Sequence, residues 1–106
     1  MNTKKLLTTF LLLTITIFSY SQTATVKGII LDEENKPISN VSIKAGSNGT
    51  ETNSNGFYSL KIAANQNITL EFTHISFKKI TSTFHLKNGE AFEFNPVMKT
   101  SIKQIA

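Results

Sequence analysis

The stretch "NGTETNSNGFYSL", Asn48 to Leu60, carries a glycine at position 49, another at 56, and then changes abruptly to "FYSL". Thr50 to Asn53 reads as a short polar strand. Asn53 can accept the backbone amide two residues on in an Asx-turn, and Asn55 and Gly56 can take the positive φ that a tight reversal demands. The strand that follows then directs Tyr58, Leu60 and Ile62 to one side. A polar strand, an Asn/Gly turn and an aromatic-x-Leu run together predict a β-hairpin corner.

Working outward, the same period of two recurs in short segments separated by turn residues. Towards the N-terminus, "VSIKA" places Val41, Ile43 and Ala45 inward and Ser42 and Lys44 outward. Before it, "TVKGIILD" (Thr25 to Asp32) is a strand whose run Ile29, Ile30, Leu31 predicts an end buried on both sides. "EENKPISN" between them is a turn in which Pro37 holds Lys36 extended. Towards the C-terminus, "ITLEFTHISF" aligns Ile68, Leu70, Phe72 and His74, and "KKITSTFHL" and "AFEFNPVM" are two more strands joined by an Asn-Gly hairpin turn, "KNGE" (Lys87 to Glu90). About seven strands in this length predict an all-β fold, a small sandwich of two antiparallel sheets. From Lys99 to Ala106 the chain has no turn signal and no partner in the pattern, and reads as a tail or the start of a linker.

Residues 1–21 read as an export signal: Lys4 and Lys5, an apolar and threonine run from Leu6 to Phe18, and small residues at Ser19 and Ser21 ahead of Gln22. An uncut N-terminal anchor is the competing reading, although a run this short falls below the roughly 20 residues that span a bilayer. No cysteine follows the run, which excludes a lipid-anchored start, and none staples the fold. All eleven basic residues are lysines. Nine of them remain after Gln22 against seven acids, scattered along the chain, and without arginine or tryptophan they do not make a nucleic-acid surface.

Chemistry finds few residues to stand on. His74 and His85 fall on different strands and have no third nitrogen or sulfur ligand, so His74 reads as a packed, hydrogen-bonded histidine and His85 as a surface residue. "DEEN" (Asp32 to Asn35) offers oxygens but lacks the spacing of a calcium loop. Glu71, Glu90 and Glu93 have no evident carboxylate partner. Phe92 and Phe94, with Phe84, read as core rather than as a sugar-stacking strip. The expectation is no enzyme, no catalytic or metal residue and no cofactor.

The residues quoted so far, from Val26 to Phe84, also resemble the carboxypeptidase-regulatory-like domain, a transthyretin-like (prealbumin-like) β-sandwich. Gly28, Asp32, Pro37, Val41, Thr52, Gly56, Tyr58, Leu60, Phe72 and His74 stand where that family's pattern wants them. Asn53 replaces the usual aspartate, which removes a charge, and Ser76 replaces a usual glycine. The resemblance implies a transthyretin-like or Ig-like sandwich over 22–98 with no catalysis of its own. It further implies an exported module, periplasmic or associated with the outer membrane, of the kind found at the N-terminus of TonB-dependent outer-membrane receptors. On that reading the partner is an envelope protein or the remainder of a longer receptor chain, and the membrane is reached only through the signal or a following domain. A small secreted protein binding a glycan or another ligand is the alternative. Mass spectrometry of the exported product should find its N-terminus at Gln22; a product retaining Met1 would overturn the export reading.

Overall fold

The computed structural model describes residues 22–101. The expected signal at 1–21 and the end of the tail at 102–106 lie outside the described residues. All seven expected strands are found, and two of them are interrupted, which gives nine segments and, among the described residues, no helix. The first becomes β1 (Thr23–Ile29) and β2 (Leu31–Asp32), with Ile30 between them. Then follow β3 (Ser42–Ala45), β4 (Asn48–Glu51), β5 (Phe57–Ala63), β6 (Asn67–His74) and β7 (Phe77–His85). The last is split into β8 (Ala91–Glu93) and β9 (Val97–Met98).

One sheet has the order β4-β3-β6-β7 and is antiparallel throughout. The facing sheet has the order β5-β1-β8, extended by the pair β2-β9. Here β1 pairs antiparallel with β5 but parallel with β8, and β2 pairs parallel with β9. "KNGE" is therefore a turn but not a hairpin: the Glu90 amide donates to the Lys87 carbonyl at 3.0 Å, and the chain then crosses to the other sheet. Gly89 is at φ 79° while Asn88 is not in the positive region, the pattern of a type II turn rather than the type I′ that closes hairpins. The hairpin in this half of the molecule sits earlier. "ITLEFTHISF" is not one strand, because Ile75 and Ser76 form a two-residue turn between β6 and β7.

The interruptions have identifiable causes. Ile30 ends the regular strand because only its amide stays in register: it donates to the Gly56 carbonyl (2.8 Å), the next rung of the β1–β5 ladder, while its carbonyl turns away to accept the Ile38 amide (3.0 Å). Alternation survives the break, so the expected burial on both sides at Ile29–Leu31 does not occur: Ile30 is fully buried while Ile29 is 45% exposed. Between β8 and β9 stands Pro96, which has no amide to give the ladder. Asn95 takes over a ladder position there, its Oδ1 accepting the Ile29 amide at 2.8 Å.

Between the sheets the core combines Val26, Tyr58, Leu60 and Ile62 with Ile43, Leu70, Phe72 and Phe84, all buried. Each large apolar side chain removed from water contributes about 1.5–3 kcal/mol. Tyr58 meets Phe72 edge to face (5.7 Å, 79°), and Phe94 lies against both Phe72 and Phe84. The Tyr58 hydroxyl donates to the Phe94 carbonyl at 2.6 Å, and burial pushes its pKa well above the ordinary tyrosine range, so it stays a donor. Gly28, directly across the ladder from Tyr58, is required by this arrangement, since a Cβ there would run into the Phe94 carbonyl.

At the corner, Asn53 forms the expected Asx-turn. Its Oδ1 accepts the amides of Asn55 (2.9 Å) and Phe57 (3.1 Å), and its carbonyl accepts the Gly56 amide. Gly56 is at φ 75°; Asn55 does not share the positive φ expected of it. Nor is the corner a hairpin: β4 and β5 belong to different sheets, so this turn carries the chain across the sandwich. Thr52, the buried polar residue just before it, donates its hydroxyl to the Ile38 carbonyl (2.7 Å) and accepts the Val41 amide (2.9 Å). A Cβ at Gly56 would lie 2.7 Å from the Ile30 carbonyl and 3.1 Å from Pro37. Gly56→Val should therefore cost about 2–4 kcal/mol, from backbone strain and from this close approach together. Asn53→Asp keeps both acceptor bonds and should stay within about 0.5 kcal/mol of the parent. Chemical denaturation checks both, and a Gly56→Val midpoint equal to the parent's would overturn this account of the corner.

Candidate functional site

Several of the polar residues that sequence reading weighed for chemistry take structural roles, Glu90 among them through the Lys87 amide, while Glu71 makes only an exposed pair with Lys79 and Glu93 is exposed. Asp32 Oδ1 accepts the amides of Glu34 (2.8 Å) and Lys36 (2.9 Å), and Asn35 adopts φ 62°. The "DEEN" segment is thus a turn closed by its own first carboxylate; of its other acids Glu33 is exposed, and Glu34 forms an exposed pair with Lys36 at 3.5 Å, of a kind worth little in water. His74 Nδ1 accepts the Ser76 amide at 3.1 Å, and the ring lies edge-on to Phe77. His85 Nδ1 lies 2.9 Å from Asn67 Oδ1 and is exposed. Because His74 faces Phe77 and His85 faces Asn67, the two rings sit at opposite ends of the β6–β7 hairpin. At about 3.3 Å per residue, their strand positions are roughly 23 Å apart. No group of three metal-ligating side chains gathers among the described residues.

Phe84 is buried, and Phe94 is half-buried between it and Phe72, so both belong to the core as expected. Phe92 is the exception, 39% exposed at the rim and 5.5 Å from Phe84. A cleft of about 340 Å³ opens where β4 faces β5, lined among others by Gln22, Ala45, Asn48, Lys61 and Ile68. Its floor is aliphatic and no aromatic ring lines it. The Asn48 side-chain amide is already committed to the Lys61 carbonyl.

What the structure adds is a surface. On β1 and β5, Ile29 and Phe57 stand directly opposite each other on the face turned away from the core, and Phe57 is 44% exposed. Two residues on, half-buried Leu31 stands opposite Val97, itself 51% exposed. These four side chains form one apolar area beside the "DEEN" and "NSNG" turns. Sequence reading missed it because "GIIL" looked like doubly buried strand; the clue was phase, since Ile29 alternates with the inward Val26, Gly28 and Ile30.

A family profile for the CarboxypepD_reg-like domain matches residues 26–106. The chain belongs to that family. Residues from Lys99 onward, read from sequence as a tail, fall inside the match, and the structure gives the first of them partners. Lys78 donates its amide to the Lys99 carbonyl (2.7 Å), Ser101 donates to Ser76 (3.0 Å), and Thr100 lies opposite Phe77. No curated protein sequence matches the chain. Among solved structures it is similar to 3-chlorocatechol 1,2-dioxygenase from Rhodococcus opacus (TM-score 0.57, 7% identity, 76% of this chain and 61% of that one). It is also similar to the Bacillus anthracis TIE protein (0.56, 19%, 74% and 18%) and to GBS52, a minor pilin of Streptococcus agalactiae (0.55, 13%, 81% and 48%). At these identities the likeness is one of fold, and in each case the chain spans less than two thirds of the other protein. The CarboxypepD_reg-like domain is a non-catalytic, regulatory-like module.

Because Asp32 Oδ1 already accepts two backbone amides, the "DEEN" turn is closed by the chain itself, and the expectation is that folding of this domain needs no metal. Thermal melts with and without EDTA should coincide, and a chelator-induced fall of several degrees would restore the Asp32 turn as a calcium site.

Proposed function

We propose that this domain is a non-catalytic interaction module of the cell envelope, exported by the segment before Gln22 and forming the N-terminal part of a TonB-dependent outer-membrane nutrient receptor. The observation that carries the interaction reading is the apolar area of Ile29, Leu31, Phe57 and Val97 on the outer face of the β5-β1-β8 sheet. Large exposed side chains from three strands at one end of a sheet form a surface suited to a protein partner, whereas singly scattered ones carry no such meaning. The turns beside it are each closed by one side-chain oxygen, of Asp32 and of Asn53, and so present a fixed frame.

The receptor assignment rests on the family and on the order of an export segment followed directly by this domain. In a TonB-dependent receptor the barrel must come from sequence beyond these residues. Fractionation of the host with an antibody against residues 22–101 tests it. The antigen is expected in the outer membrane, on a polypeptide several times larger than this domain. A small soluble antigen in the periplasm would overturn the receptor assignment. Phe57→Asp, on the outer face of the sheet, is expected to weaken capture of envelope protein by the immobilised domain relative to the parent.

A further inference from the structure

The edges of the two sheets are protected unequally. β8 is only three residues long and ends at Glu93, and β4 and β5 face each other with the Asn48 amide bridging to Lys61. At β7 the protection covers only the beginning, where Lys99–Ser101 runs beside Ser76–Lys78 towards the hairpin tip. Beyond it, "ITSTFH" from Ile80 to His85 has no lysine, acid, proline or glycine, the devices that ordinarily blunt an edge.

The direction of the backbone groups follows from the ladder. The Thr52 amide donates to Val41, so β3 directs its odd-numbered residues to β4 and its even-numbered ones, Ser42 and Lys44, to β6. The groups of Thr73 and Glu71 on β6 then face β3, and those of Leu70 and Phe72 face β7, where they meet Ser82 and Ile80. The main-chain groups of Thr81, Thr83 and His85 consequently point out of the sheet, and no backbone group of the described residues meets them. A register shift between Phe72 and His74 puts Lys78 and Lys79 together opposite Thr73, and Lys99 is bonded beside them. Of these three lysines, only Lys79 has an acidic partner, Glu71 at 3.8 Å.

We propose that the outer edge of β7 from Thr81 to His85 is a strand-addition site for an extended segment of a partner protein, neutral and β-branched along its length and acidic where it meets Lys78, Lys79 and Lys99. Main-chain bonds to Thr81 and Thr83 supply the affinity, and the lysines fix the direction. An antiparallel partner strand meets them with its C-terminal end. Seated there, it lies between β7 and β8 and covers the exposed ring of Phe92. A second copy of this chain fits less well, since its own β7 brings no acid to the three lysines.

The test uses residues 22–106 and a short fluorescent peptide alternating threonine and valine and ending in aspartates. Anisotropy should show binding by the parent. A lysine-ended peptide should bind about tenfold more weakly, and a peptide N-methylated on alternate amides should lose binding. Thr83→Pro should remain folded, because its amide faces away from β6, and should also lose the peptide. Failure of the aspartate peptide to bind, or equal binding of the N-methylated one, would overturn the proposal whatever the fate of Thr83→Pro. Concentration-dependent dimerisation of the parent that Thr83→Pro abolishes would overturn it in favour of a second copy.

Discussion

Where the chain passes from β4 to β5, the Gly56 carbonyl accepts the Ile30 amide at 2.8 Å with no room for a side chain between the two backbones. This contact is the last rung of the β1–β5 ladder, and the Ile30 carbonyl turns away from it to accept the Ile38 amide and so holds the loop that carries Pro37. Thr52 fastens the same loop from the other side, through Ile38 and Val41. One crowded backbone crossing thereby ties the two sheets together near the end where the outer apolar surface lies. A larger residue at 56 acts on all of these at once, which is why a mutation at a small turn residue is expected to weigh like one in the core.

Most of the strand pattern was legible in sequence because one face of each sheet is buried, and a slip of one residue would expose every inward side chain. Tyr58, Leu60 and Ile62 are buried as the "FYSLKI" alternation required. What remained hidden was connectivity. Turn chemistry in "NSNG" and "KNGE" reads the same whether the next strand returns beside the last or crosses to the other sheet, and both of these cross. The hairpin at Ile75–Ser76 was hidden for the opposite reason. Ser76 is a common turn residue but stands alone there, and Ile75, 95% exposed, imitates a strand position. Positive φ at Asn35, Asn40 and Asn65 likewise had no sequence signal beyond the residue type.

The site was less legible than the fold. Sequence reading could say which polar residues lacked the spacing for chemistry, and the structure explains what those residues do instead: Asp32 and Asn53 each close a turn with a single side-chain oxygen. It could not locate a surface built from Phe57 and Val97, because the residues are distant in the chain and each is unremarkable by itself. Surfaces of this kind depend on pairing, and the parallel pairing of β2 with β9 has no local signature.

That parallel pairing also bears on how the fold is reached. β1 is the first strand to emerge during synthesis, yet one of its two ladders is made with Ala91–Glu93, and the Ile29 amide waits for Asn95, sixty-six residues later. Loop-closure entropy must be met before such a contact forms, so high contact order makes completion of this sheet slow. The N-terminal strand stays incomplete until nearly the whole domain is available. A chain with this topology cannot close the β5-β1-β8 sheet for as long as its last strands are withheld.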